Sequence, residues 1–272
     1  FGQRPFIFTP PEGYESLSFA NLEPSSITNP KRHFDCLIYS GNSGSSNIVT
    51  GLQFQPDLVW IKTYSGSSSP GSQNHYIVDS VRGANGTVTK KVYSNATGAE
   101  NSGQNDSDNG VKLLSNGIEL TSANDGTNSN NNYVAWCWKA GGAAVTNSNG
   151  SVTSQVSANQ EAGFSIVTYT GSNDSTVTFG HGLDSAPEIV LIKRRDSSNG
   201  WRVYHHSVGL GKYLSLSNAN AENASAQDFA SVSATTFGVK GGYGPVSING
   251  GTYVAYCWHS VPGYSKVGSY NG

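Results

Sequence analysis

The chain has 272 residues, of which 12% are charged, and a formal net charge of -2. That charged share is about half the usual one, and Ser, Gly and Asn together supply more than a third of the residues. The charge balance argues against nucleic-acid binding through a basic surface and against a polybasic membrane-surface role, and no run approaches the roughly 18 apolar residues of a transmembrane helix.

The polar bias does not imply disorder. Hydrophobic residues make up 36%, with 14 Tyr, 10 Phe and 5 Trp to fill a core, and the low net charge adds little self-repulsion. Gly, Asn, Ser and Thr are poor in helix interiors. Apolar stretches are short and broken by Gly, Asn or Pro, the pattern of antiparallel strands. The expected class is all-β. The chain carries no Met and begins with Phe1, so it reads as a window on a longer protein.

In chain order, residues 1–33 hold half of the prolines (Pro5, Pro10, Pro11, Pro24 and Pro30) and read as an upstream tail plus a stiff connector. Residues 34–40 form a first strand before a Gly-Asn-Ser turn. After Pro56, residues 57–63 are a nearly continuous apolar run, as expected for a buried strand. Residues 76–81 follow a Ser/Gly/Pro loop. Val111–Leu114 and Ile118–Leu120 flank Asn116-Gly117, a hairpin signal because both residues tolerate positive φ. Residues 133–138 close a unit spanning 34–139. About seven strands in such a length fit a β-sandwich or jelly roll. Residues 140–163 read as a small-residue linker with one strand at Val152–Val156.

The second unit, 164–262, repeats the first. Gly51-Leu52-Gln53-Phe54-Gln55-Pro56-Asp57 through Lys62 aligns with Gly182-Leu183-Asp184-Ser185-Ala186-Pro187-Glu188 through Lys193. Phe34–Gly41 matches Phe164–Gly171, and Tyr133–Trp138 matches Tyr253–Trp258. Residues 263–272 echo Gly163–Gly171, either as a closing strand or as the start of a third unit. The architecture expected is thus a tandem pair of antiparallel β-sandwich or jelly-roll modules.

Candidate chemistry is sparse. His205-His206 alternate on a strand and so point apart, which disfavours a shared metal. Cys36, Cys137 and Cys257 read as buried free thiols, with a Cys36–Cys137 disulfide as the alternative. Asp106-Ser107-Asp108-Asn109-Gly110 has the look of a calcium loop but lacks the bidentate Glu, and it reads rather as a solvated Asx turn. Asp57 and Glu188 supply one carboxylate per unit, where glycoside hydrolysis needs two. They are expected to end loops or to pair with Lys62 and Lys193. Arg82 either pairs with Asp79 at a turn or faces a neighbouring subunit. No nucleophile elbow or P-loop occurs. No catalytic, metal or cofactor residues are assigned, and no enzyme is expected. Trp201, Tyr204, Tyr243 and Tyr76 are candidates for ligand or receptor contact, since aromatic rings beside Asn and Ser suit a sugar. For Trp201 and Tyr204, core positions on a strand are the preferred reading over ligand contact.

The blocks GLQFQPDLVWIK, HYIVDSVRG and YVAWCWKAGG, with GHGLDSAPEIVLIKRRD, WRVYHH and GTYVAYCWHSVPGYSKVGSY in the second unit, resemble repeats of uncharacterised function in tailed-phage structural proteins of the marine type. The opening FGQRPFIFTPPEGYESL is similar to the last strand and tail of a SPRY-like β-sandwich that precedes such repeats. The loop Thr63–Asn74 departs from the pattern in its length and Ser content. The resemblance implies location in the virion, in a tail fibre, spike or capsid-surface fibre. It implies other virion proteins and copies of the same chain as partners, so a homo-oligomer, with contact to host-surface glycan as a further role. Neither nucleic acid nor membrane insertion is expected. A glycan-binding receptor-recognition module and a capsid decoration protein are the alternatives.

Overall fold

A computed structural model describes residues 25–66, 73–83, 90–100, 110–121, 126–219, 222–224 and 228–270. The tail read at 1–24 and the Asp106–Asp108 loop lie outside the described residues. The first repeat contains β1 (Phe34–Ser40), β2 (Asn47–Thr50), β3 (Leu58–Gly66), β4 (Tyr76–Asp79), β5 (Lys91–Tyr93), β6 (Val111–Leu114), β7 (Gly117–Leu120) and β8 (Asn131–Trp138). They form a five-stranded sheet in the order β1-β8-β3-β4-β5 and a three-stranded sheet in the order β2-β7-β6.

The second repeat contains β9 (Val145–Asn147), β10 (Ser154–Asn159), β11 (Phe164–Thr170), β12 (Val177–Gly180), β13 (Ile189–Arg194), β14 (Arg202–His205), β15 (Lys212–Tyr213), β16 (Asn223–Ala224), β17 (Ser231–Val232), β18 (Thr236–Val239) and β19 (Thr252–Trp258). Its six-stranded sheet runs β14-β13-β19-β11-β10-β9, beside a three-stranded sheet β12-β18-β17 and a two-stranded ribbon β15-β16. Ladders are antiparallel throughout. The all-β class, with antiparallel sheets stacked around a core in each repeat, is what the sequence leads one to expect. No helix among the described residues is long and apolar enough to cross a membrane.

The repeated motif has a local reason. Gly51 has φ +135 and Gly182 has φ +73, a region that L side chains rarely adopt. The turn made there drops the next residue, Leu52 or Leu183, into the core of its own repeat. Strand alternation then sorts the faces. Tyr133, Ala135 and Cys137 of β8 all point into the first core, while Trp138 points to the opposite side. The second core is built in the same way from Tyr253, Ala255 and Cys257 of β19.

Several elements differ from the sequence reading. Residues 140–163 are not a free linker: β10 pairs with β11, and β9 pairs with β10, so the stretch extends the second sheet. Small residues permit this because β10 lies close over its neighbours with Ser154 and Ser157 buried. Residues 262–270 join no ladder; an isolated bridge links Val261 to Ser265. Ile27, just before the first repeat, packs with Ala162 and Val261 of the second. Cys36 cannot reach Cys137, because the register pairs Cys36 with Trp136 and Asp35 with Cys137, which puts the two thiols on opposite faces. All three thiols are free; Cys137 and Cys257 are buried and Cys36 is exposed.

The β6–β7 hairpin forms, but Leu114 pairs with Gly117, so its turn residues are Ser115 and Asn116. Gly117 is needed for closeness and not for positive φ: a Cβ there would lie 2.1 Å from the Val49 carbonyl oxygen. Gly117→Ala is therefore expected to destabilise the protein by about 1–3 kcal/mol through overpacking against backbone. Gly268→Ala, with nothing within 4 Å of its Cβ, should leave the thermal midpoint unchanged. Thermal denaturation of both variants checks the contrast.

Candidate functional site

The outer faces of the two large sheets pack against each other. Leu58 and Trp60 of β3, Ile77 of β4, Val92 of β5 and Trp138 of β8 meet Phe164 and Ile166 of β11, Leu191 of β13, Val203 of β14, and Val254 and Tyr256 of β19 in one cluster. The two faces are built from equivalent positions, since Leu58, Ile77 and Trp138 correspond to Ile189, Val203 and Trp258. Trp138 and Trp258 themselves touch edge to face, with ring centroids 6.1 Å apart. The contact is thus close to two-fold within a single chain, the self-complementary form of interface seen in homodimers.

A polar network lies inside this apolar contact. The Arg82 and Asp79 side chains have no exposed surface. Arg82 Nε donates to Asp79 Oδ2 at 2.6 Å, Nη1 donates to Glu100 Oε1 at 2.8 Å, and Nη2 donates to the Ile77 carbonyl and to the Tyr256 hydroxyl of the other repeat at 3.0 Å. The Tyr256 hydroxyl in turn donates to Asp79 Oδ2 at 2.7 Å. Glu100 receives a two-pronged contact from Arg195 of the second repeat, at 3.0 and 2.9 Å. Burial alone would pull the Arg82 pKa down, but Asp79, Tyr256 and Glu100 outweigh it and hold the guanidinium charged. Burial would raise the Glu100 carboxyl, but Arg195 and Arg82 bring it below the usual range. Each of the three nitrogens of the fork has an acceptor, as a desolvated charge requires.

Lys193 lies beside this network, fully buried. Its Nζ donates to the carbonyls of Thr97 at 3.2 Å and Arg194 at 2.8 Å. Burial first, and then the nearby charges of Arg194 and Arg82, lower its pKa to about 8.

The junction also opens into a polar cleft of about 800 Å³, lined by His33, Gln53, Gln55, Lys139, Asn159 and Gln160 among others. Asn159 Nδ2 lies 3.0 Å from His33 Nδ1 and also donates to the Lys139 carbonyl. An amide donor fixes Nδ1 as the acceptor, so the neutral ring carries its proton on Nε2, 3.8 Å from Glu161. Burial lowers the His33 pKa; Glu161 opposes this, and Lys139 and Arg32 reinforce it.

The aromatic candidates divide. Trp201 is fully buried in the inter-repeat cluster, and its indole N–H donates to the Tyr93 carbonyl of the first repeat at 2.8 Å. Tyr204 packs on Phe229 in the second core, and Tyr76 packs on Tyr93 in the first. All three rings thus hold core positions and not contact positions: Tyr76 and Tyr204 lie on β4 and β14, and Trp201 lies just before β14. Tyr243 is half-buried and accepts from Arg202 Nη2 at 3.4 Å. None of them lines the cleft.

The carboxylates also have other partners than expected. Asp57 accepts from Ser80 Oγ and the Ala140 amide, both at 2.8 Å. Glu188 accepts from the Ser260 amide and hydroxyl. Both thus clamp the end of the last strand of their repeat, and neither is paired with Lys62 or Lys193. The His205 and His206 rings stack at 5.0 Å and do not point apart, because β14 ends at His205. Among the described residues no group of three or more His, Cys, Asp or Glu comes together. Arg82 does pair with Asp79, a link that their spacing of three residues signalled. Nothing local signalled Tyr256, Glu100 or Arg195, which reach Arg82 or its partner only through the tertiary contact.

The chain belongs to the DUF7483 family, a domain of unknown function, whose model matches residues 29–272. No curated protein and no solved structure matches it.

Two outcomes are expected. Arg82→Ala leaves the buried Asp79 carboxylate without its cation, while Glu100 keeps Arg195, and should cost about 3–5 kcal/mol, whereas removing the more exposed Arg194–Asp196 pair should cost about 1 kcal/mol or less. Chemical denaturation of the variants measures both. The second outcome concerns pH. Folded Lys193 releases its proton near pH 8, while the unfolded side chain holds it to about 10.5. The unfolded state binds more protons in between, so stability should rise with pH above 8. The rise should reverse near pH 9. There the unfolded Cys137 and Cys257 thiols ionise while burial keeps the folded ones protonated, and the tyrosines follow, since burial holds folded Tyr169 and Tyr256 protonated well beyond their ordinary value. Lys193→Met should remove the rise and leave the reversal, as read by denaturation midpoints across pH 7–11.

Proposed function

We propose that this DUF7483 chain is a non-enzymatic structural and assembly module of a tailed-phage particle, part of a tail fibre, spike or capsid-surface fibre. The observation that carries this reading is the welding of two β repeats, face to face, by an apolar cluster with a hydrogen-bonded charge network inside it. Such a joint makes two sandwiches into one stiff body. Stiffness is what a spacer in a particle needs and what a flexible tandem of modules lacks. The sequence blocks that resemble phage structural repeats support the virion setting. Partners under this reading are other virion proteins and further copies of the chain.

The cleft favours a second reading, recognition of host-surface glycan. Its amide and backbone lining suits the hydroxyl groups of a neutral sugar better than an apolar or strongly charged ligand. The buried positions of Trp201, Tyr204 and Tyr76 move any such site away from the aromatic rings and toward Gln55, Lys139 and Gln160.

Quantitative mass spectrometry of purified particles, alongside the lysate that produced them, tests the primary reading. The chain is expected to co-purify at a fixed ratio to the major shell or tail protein. Abundance in the lysate with none in the particles would overturn it. On a glycan array, binding that is lost in a Lys139→Ala, Gln160→Ala double variant is expected under the second reading. Silence of the unmodified chain rejects it.

A further inference from the structure

The two repeats differ at one sheet edge. In the second repeat the Gly163 carbonyl accepts from His259 and the Gly171 amide donates to Gly251. The odd-numbered residues of β11 therefore bond to β19, and the even-numbered ones turn the other way. There Phe164, Ile166 and Thr168 pair with Asn159, Ser157 and Gln155 of β10. The first repeat has the same phase. Lys139 donates to His33 and Gly41 donates to Asn131, so Phe34, Cys36, Ile38 and Ser40 turn their N–H and C=O groups away from β8. Among the described residues no strand lies along that side, and β1 is the edge of its sheet.

The residues just upstream of β1 do not fill the edge, for Ile27 is packed against Ala162 and Val261 and Asn29 is bonded to Gln53. Two outward groups are taken locally. The Cys36 amide donates to Asp35 Oδ1, and the Ser40 carbonyl accepts from Asn47. At Ile38, in the middle of the edge, neither group has a side-chain partner. The strand itself carries no proline, and its register with β8 runs without a bulge, so it lacks those two protections of an edge. Its side chains extend an interface already present. Ile38 is 71% exposed and lies across from Val134, with Cys36 across from Trp136. These residues share the outer face on which Trp60 and Trp138 meet the second repeat.

We propose that the β1 edge receives β1 of a second copy of this chain. The two strands run antiparallel around a two-fold axis near Ile38, joining two five-stranded sheets into one. Identical edges suit each other because the outward groups of one strand repeat on its symmetry mate. The proposal rests on the assembly reading above and supplies its self-contact.

The test uses the full chain in analytical ultracentrifugation, with a nitroxide label on Cys36, the exposed thiol. A concentration-dependent dimer is expected, with a label separation of about 15 Å, roughly four strand residues. Ile38→Lys places like charges together at the axis and should leave a monomer. Ile38→Pro removes an amide hydrogen that the β8 ladder does not use and should do the same. Unchanged circular dichroism in Ile38→Lys shows that folding is intact. A chain that stays monomeric at its highest soluble concentration overturns the proposal. So does a monomer with a slowly exchanging Ile38 amide, which would mean that the chain's own residues cover the edge. A dimer that survives Ile38→Lys with its labels beyond about 40 Å, more than a strand length away, rejects this edge but leaves the assembly reading standing. That reading fails separately, by absence from particles.

Discussion

Arg82 is a guanidinium with no exposed side-chain surface, and its confinement organises the joint between the repeats. Taking such an ion out of water costs several kcal/mol even after relaxation. The cost is offset only if every donor finds an acceptor in fixed geometry. Asp79 and Glu100 come from the same repeat, but the last hydroxyl comes from Tyr256, and Glu100 is itself neutralised by Arg195. Neither repeat can satisfy the network alone. The apolar cluster around it adds non-directional stabilisation. The charge network adds registry, because sliding one sheet over the other would strand a buried ion.

The joint is two-fold in its apolar part and one-sided in its polar part. Leu58 and Ile189, Ile77 and Val203, and Trp138 and Trp258 are matched pairs. The network residues are not matched: Asp79 corresponds to His205, and Tyr256 corresponds to Trp136. The repeats thus diverged where divergence fixes the relation between them. They kept alike what each needs to fold, the Gly-Leu turn and the acid that clamps the last strand. The same division explains the edges, since β10 and β9 complete the second sheet where the first sheet ends at β1.

The parts legible in the sequence were those with local causes. The repeated block that starts at Gly51 and Gly182 was visible as a repeat, its cause being a turn with positive φ, and Cys137 and Cys257 were correctly read as buried thiols. What stayed hidden depended on the tertiary contact. Alternation says that β3 and β8 have two faces, but not that the second face meets another repeat. For that reason Trp201, though it read first as a core ring, stayed a candidate for ligand contact. Residues 140–163 read as a linker because Ser, Ala and Gly carry little strand signal, yet small side chains are what let β10 lie against β11. The cleft was invisible because its lining comes from segments as distant as Gln53 and Gln160.

The composition follows from how the loops are tied. Asn128 donates to Asn42 Oδ1 and to the Gly44 carbonyl while accepting from Asn47. In the second repeat Ser172, Ser247, Asn173 and Asn249 tie the corresponding loops. These are neutral hydrogen bonds between side chains and backbone, or between side chains. Exposed ion pairs at the same places would contribute little and would weaken with salt, whereas an amide bonded to a carbonyl carries no net charge to screen. A chain that buries its most connected charges in the joint, and ties these loops with amides and hydroxyls, is held at both places by terms that ionic strength barely reaches. Its low charge content is thus a property of the way the two sandwiches are closed.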